Sequence, residues 1–333
     1  MKTRRNGCVF VGFVLAVGLL AAGACVRWAS APAARPGARA VRVVIGKGMG
    51  VAGVASLLER SGIVRSALYW RLWAARGARL KPGTYDLSPS DRPEHIVRVL
   101  VEGRMATVRV TFPEGWTIEQ MARRLESKQL IASADLFVAR VRRNGADLDS
   151  VIDGPDDREG WLFPDTYRFP VGASETSIAA RMLSNFKERV SGPLADSVRA
   201  SGRPLSEIVV IASLVEREAR TDRDRPMIAG VIENRLRKGM RLEIDATVQY
   251  ARGAHAARLL YRDLRVDSPY NTYRHAGLPP GPICNPGLPS LEAAARPARH
   301  DYLFYVLGKD GRNHEFSRTY AEHLERIRRI RRK

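Results

Sequence analysis

The pattern of apolar and polar positions changes character along the chain. From Gly7 to Val26 it is almost uninterruptedly apolar, about 20 residues, the length a helix needs to cross a hydrocarbon core about 30 Å thick. Residues 27–40, with Ala and Pro concentrated from Ser30 to Arg39, read as a linker. Beyond Val41, short alternating runs interleave with three- and four-residue periods, so the remainder is expected to be an α+β protein.

Residues 41–105 predict a small α/β module. Val41 to Ile45 alternates as a strand, and Val51, Val54, Ala55 and Leu58 mark the buried face of a helix. A second helix is expected over Ala67 to Ala75, a turn and strand in LKPGTYDLSP, and a third helix from Pro93 to Val101. Trp70, Trp73 and Tyr85 are candidates for stacking on sugars, although two tryptophans at that helical spacing are more often core residues.

Residues 106–325 predict a larger domain and 326–333 a basic tail. Thr107 to Thr111 reads as a strand, and Gly115 and Thr117 turn the chain into a helix begun at Ile118. Leu136 to Arg143 is a further helix, GADLDSVIDGPDDR an acidic loop, and Ser177 to Arg189 a long helix. In the irregular segment EGWLFPDTYRFP, Trp161 and Tyr167 either line a cleft or cap a core. Residues 204–250 predict a helix opened near Ser206, then a second from Met227 to Leu236 that stops at Gly239, with Asn234 and Arg235 at its end. In LEIDATVQYA, Asp245, Thr247 and Gln249 stand at two-residue steps and would share one side of a strand. The segment SPYNTYRHAGLPPGPICNPG is a long fixed loop carrying Asn271 and Tyr273. Ser290 is expected to cap the helix LEAAARPA, DYLFYVLG to form a strand, and the chain to end as a basic helix.

One carboxyl stands out. Ile211, Leu214, Val215 and Glu218 recur at three- and four-residue steps, so Glu218 ends an otherwise apolar stripe. Poor solvation there raises a carboxyl's pKa, as a general acid near neutral pH requires. Glu216, two residues away, projects to the other side and is expected to be solvated. The competing reading makes Glu218 merely the edge of a buried face.

Charge narrows the partners. Lys and Arg number 55 against 35 Asp and Glu, a formal charge of +20, which attracts polyanions. No zinc-finger or aromatic RNA-binding pattern accompanies the arginines, so nucleic acid is not the expected partner. Cys8, Cys25 and Cys284 are far apart, giving neither a disulfide framework nor a metal-spaced cluster, and Cys284 reads as a small apolar residue. Lys2, Arg4 and Arg5 precede the apolar run, so residues 1–6 are expected to stay cytoplasmic, with 7–26 a single-pass inner-membrane anchor and the rest periplasmic. A cleaved signal peptide competes, because the alanines near Ala21 to Ala24 suit a peptidase.

The blocks IASLVEREAR, VIENRLRKGMRLEIDATVQY, SPYNTYRHAGLPPGPICNPGLPSLEAAARPA and DYLFYVLGKDGRNHEFSRTYAEH, in that order, resemble the YceG-like family of endolytic murein transglycosylases. The resemblance runs from about Val41 to His323 and departs at Ala246, where the family usually has proline, and at Cys284, where it usually has alanine. It implies cleavage of the β-1,4 bond between N-acetylmuramic acid and N-acetylglucosamine in peptidoglycan glycan strands, leaving 1,6-anhydro ends and terminating nascent strands. It places the catalytic acid on Glu218, with Asn234, Asp245, Asn271 and Tyr273 as candidate substrate contacts or orienting residues. It implies penicillin-binding protein synthases as partners, no cofactor and no metal, and it makes residues 41–105 a LysM-like module that either binds glycan or serves as a spacer. The rival reading is a non-catalytic, membrane-anchored scaffold that holds a synthase near glycan.

Overall fold

The structure, a computed structural model, describes residues 3–143, 157–192, 194–253 and 259–332. Most of the acidic loop expected in GADLDSVIDGPDDR lies outside the described residues. The chain divides into two compact units, Met1–Val108 with Arg168–Gly172, and Arg109–Tyr167 with Ala173–Lys333.

The first unit opens with the helix α1 (Thr3–Ser30), whose Phe13–Ser30 window has a mean hydropathy of 1.7 and is long and apolar enough to cross a membrane. Strand β1 (Val41–Ile45) pairs antiparallel with β2 (Gly83–Leu87), from Val41 opposite Leu87 to Ile45 opposite Gly83. Helices α2 (Val51–Arg60) and α4 (Pro93–Glu102) bury Val54, Leu58, Ile96 and Leu100 against this two-stranded sheet. The helix expected over Ala67 to Ala75 is instead one α turn, α3 (Ala67–Tyr69), running into a π turn at Trp70–Ala74. Trp70 and Tyr85 are fully buried in this core, so neither stacks on a ligand, whereas Trp73 is exposed.

Strands β3 (Thr107–Thr111) and β4 (Thr166–Pro170) pair with each other. In the second unit, α5 (Ile118–Ser127) begins with a capping box. Thr117 accepts from the Gln120 amide, and Gln120 accepts from the Thr117 N–H at 2.9 Å. Helices α6 (Ala134–Arg143) and α7 (Glu175–Ser191) follow as the periodicity predicts, with α8 (Ala195–Ser201) after them. Trp161 packs on Phe186 with ring centroids 5.0 Å apart, and the Tyr167 hydroxyl donates to the Phe163 carbonyl at 2.7 Å. Both side chains are buried, so the segment 159–170 caps a core rather than lining a cleft.

Helix α9 (Leu205–Glu218) forms the centre of this unit, with every residue from Ile208 to Val215 buried. Pro204 occupies its cap position, two residues earlier than the Ser206 start expected, because a proline fits where the first N–H groups have no partner. It packs against α10 (Asp224–Arg237) and α12 (Leu288–Ala295). LEIDATVQYA is not a strand. Its Asp245–Ala251 portion is helix α11, so Asp245, Thr247 and Gln249 do not share a face. Ala246 lies in the first turn of α11, where a proline's missing N–H costs nothing, so alanine there changes no hydrogen bond. Nor does Ser290 cap a helix; α12 has already begun at Leu288. A hairpin of β5 (Phe304–Leu307) and β6 (His314–Ser317) follows, antiparallel with Phe304 opposite Ser317, and α13 (Tyr320–Arg331) completes the described chain.

Candidate active site

Glu218 is the last residue of α9 and opens onto a cleft of about 830 Å³ within the second unit. Asp245, Tyr273, Tyr305, Arg220 and His314 are among the residues that line it. The Glu218 carboxyl accepts a hydrogen bond on Oε2 from the Tyr305 hydroxyl at 3.0 Å. Burial pushes its pKa up from 4.5 to about 7; the charge of Asp245 adds to the rise, while Tyr305 and Arg217 oppose it. A carboxyl so placed carries its proton for much of the time at neutral pH and can also exist as the carboxylate, the two states that general acid and base catalysis need.

Opposite stands a second pair. Tyr273 donates to Asp245 Oδ1 at 2.6 Å, and Asp245 sits in the first turn of α11, where the helix dipole favours negative charge. Tyr273 is held there by Asn271, whose Oδ1 accepts from the Tyr273 N–H at 3.1 Å. The Asn271 amide donates to the Leu264 and Val266 carbonyls at 2.9 and 2.8 Å, and the residue is fully buried. The next residue, Thr272, accepts from the Ile244 N–H at 3.0 Å, which sews the loop to the start of α11. Glu243, at φ 53 a non-glycine residue in the left-handed region, also lines the cleft.

Of the residues singled out in the sequence, the fold therefore brings Glu218, Asp245 and Tyr273 to one cleft and leaves Asn271 and Asn234 behind it. Asn234 donates to the His300 and Tyr302 carbonyls at 2.7 and 3.0 Å, and it is buried. Its work is to hold the chain that leads into β5.

Glu216 is not solvated as expected. Its Oε2 accepts from Ser290 Oγ at 2.7 Å, the Gly287 N–H at 3.1 Å and Arg225 Nη1 at 3.2 Å, and its side chain is only 7% exposed. Helices α10 and α12 cover that side of α9, which periodicity along α9 alone does not reveal. Glu159 is a third buried carboxyl, accepting from the Ile118 N–H at 3.1 Å and from Arg142 and Asn285 at 2.9 Å each. Burial raises it to about 8 against the opposing charge of Arg142, but its oxygens are committed to these donors, so it ties segments together.

A sequence model of the YceG-like family matches residues 43–329. The chain belongs to the YceG-like family. It is 33% identical over 302 residues to a Bacillus subtilis (strain 168) protein named endolytic murein transglycosylase, a match spanning 85% of this chain and 82% of that one. A Streptococcus pneumoniae serotype 2 protein of the same name is 29% identical over 322 residues, spanning 85% of this chain and 58% of its own length. The crystal structure of a putative YceG-like protein from Listeria monocytogenes is similar at a TM-score of 0.61 and 30% identity, covering 86% of this chain and 99% of that one.

Sequence reasoning missed Tyr305, which lines the cleft and bonds Glu218. It sits on β5 with its ring edge-on to His314 at 5.6 Å, and His314 in turn bonds Asp224 through its backbone N–H at 2.7 Å and Nδ1 at 2.9 Å. A signal was present: in DYLFYVLG the hydroxyl of Tyr305 falls between Leu303 and Leu307 on one strand face, a polar tip among apolar neighbours.

Proposed function

We propose that this chain is an endolytic murein transglycosylase. Glu218 protonates the glycosidic oxygen between N-acetylmuramic acid and N-acetylglucosamine, and the C1–O bond breaks. The 6-hydroxyl of the same muramic acid closes on C1, its proton passing to the Glu218 carboxylate, so a 1,6-anhydro end forms without water. The observation that carries this reading is a carboxyl with a pKa of about 7 whose partner is a tyrosine hydroxyl rather than a cation, set in a cleft. A second cleft of about 590 Å³ shares Arg217 with the first, consistent with a groove that accepts a strand on both sides of the cut. Within this reading α1 is a single-pass anchor with its N-terminus cytoplasmic, cleavage ends nascent strands beside penicillin-binding protein synthases, and the part of the first unit in which β1, α2, α3 and β2 follow one another before α4 is LysM-like.

Asp245 favours one alternative. Two carboxyls in a cleft also suit a hydrolase, with Asp245 as nucleophile or as base to a water. Incubating the purified chain with sacculi and weighing the products separates the readings. Anhydro ends lost in Glu218→Gln support the transglycosylase; reducing ends that depend on both Glu218 and Asp245 support the hydrolase. Glycan binding without new ends supports a scaffold.

A further inference from the structure

The first unit exposes an apolar face at the point where α1 ends. Arg65 donates to the Trp28 carbonyl at 3.5 Å with its guanidinium 5.9 Å from the centre of the Trp28 ring, and α1 contacts α3. The end of the apolar helix is thus seated on the segment that begins at Arg65. A few residues on, Leu68 is 60% exposed, Leu72 49% and Trp73 73%. Leu68 and Leu72 are four residues apart on a helical run, so they share a side, with Trp73 adjacent. The inward side of the same run is filled by Trp70, so the outward residues are not surplus core. No acidic residue occurs between Arg60 and Lys81, and Arg71, Arg76 and Arg79 are exposed with no ion pair among the described residues. An apolar groove of about 500 Å³ lies beside them, lined by Val51, Leu72, Trp73 and Ala75 with Arg71 and Arg76.

We propose that Leu68, Leu72 and Trp73, framed by Arg71, Arg76 and Arg79, form a membrane-docking surface that rests on anionic phospholipid where α1 leaves the bilayer. It relies on the reading of α1 as an anchor. An indole beside aliphatic side chains suits the boundary between headgroups and acyl chains, and guanidinium groups suit lipid phosphates. A sugar platform would set its aromatic ring among amides and carboxylates that bond hydroxyls; here the neighbours are Leu, Ala and Arg. The surface is continuous with the helix it would supplement, as two membrane signals on one chain reinforce each other.

The test uses the full chain reconstituted in phosphatidylcholine vesicles with and without phosphatidylglycerol. Subtracting the emission of Trp73→Phe from that of the unaltered chain isolates Trp73. The expected result is blue-shifted emission, mostly lost when nitroxide-labelled lipids are included, with the loss stronger in phosphatidylglycerol and weakened in Arg71→Glu/Arg76→Glu. A chain that floats with the vesicles but keeps Trp73 in a water-like, unquenched environment overturns the docking surface while leaving the anchor intact. Failure to float at all rejects the anchor and the surface with it. A Trp73 signal that responds to soluble glycan fragments and not to lipid assigns the face to glycan and overturns the proposal.

Discussion

The Tyr305 hydroxyl donates to Oε2 of Glu218, two residues 87 positions apart in sequence, and thereby fixes which carboxyl oxygen is left to carry the acid proton. With Oε2 occupied as acceptor, Oε1 is the oxygen that presents the proton in the proposed mechanism. Tyr305→Phe removes both the orientation and an interaction that lowers the Glu218 pKa. Activity should fall roughly tenfold or more, the alkaline limb of the kcat/KM profile moving to higher pH by a fraction of a unit to about one unit. A profile unchanged in position would make Tyr305 a packing residue only.

In the proposed mechanism the unaltered chain needs the proton on Glu218 in the free enzyme. With its pKa raised to about 7, kcat/KM on soluble glycan should be level below that pH and fall tenfold per unit above it. Glu218→Gln should lose about two to four orders of magnitude at every pH.

The same carboxyl should tax stability. Folded Glu218 keeps its proton up to about 7, whereas the unfolded carboxyl releases it near 4.5, so the folded state binds more protons within that window. Stability therefore falls as pH rises from about 4.5 to 7 and then levels off. Glu218→Gln should match the unaltered chain in denaturant unfolding at pH 4 and exceed it at pH 8, by at most about 3 kcal/mol.

Asn234 and Gly230 should matter at a distance. A Cβ on Gly230 would lie 2.4 Å from the Ala298 carbonyl oxygen and 2.5 Å from His300 Nε2, and Asn234 clamps the His300 and Tyr302 carbonyls just beyond. Gly230→Ala and Asn234→Ala should each cost about 1–3 kcal/mol, read by urea unfolding. Both should lower kcat more than they raise KM, because the segment they hold delivers Tyr305.

Glu216→Gln is a further discriminator between neighbouring carboxyls. It weakens the contact with Arg225 and leaves that buried cation short of charge, so it should destabilise the fold by about 1–3 kcal/mol. Per folded molecule, it should leave the pH profile in place. A profile displaced as in Tyr305→Phe would assign Glu216 a direct part in the chemistry.

Local rules were enough for much of this protein. The apolar run of α1, the Thr117 capping box, the buried stripe of α9 and the β5 strand all depend on side chains within a few turns of one another, so their spacing in the sequence specifies them. That stripe also singled out Glu218, because a carboxyl at the end of an apolar face is poorly hydrated whatever covers it. The tertiary structure alone decided what does the covering. Glu216 faces Arg225 and Ser290 while Glu218 faces Tyr305, and only the packing of α10, α12 and β5 around α9 makes one carboxyl a structural acceptor and leaves the other at a cleft with a raised pKa. Asp245 reached the cleft by a helix where alternation suggested a strand, since Thr272, far along the chain, bonds Ile244 and Thr247 and fixes that turn. Periodicity states which face is buried; the identity of the group on the other side comes from residues that sequence spacing cannot bring together.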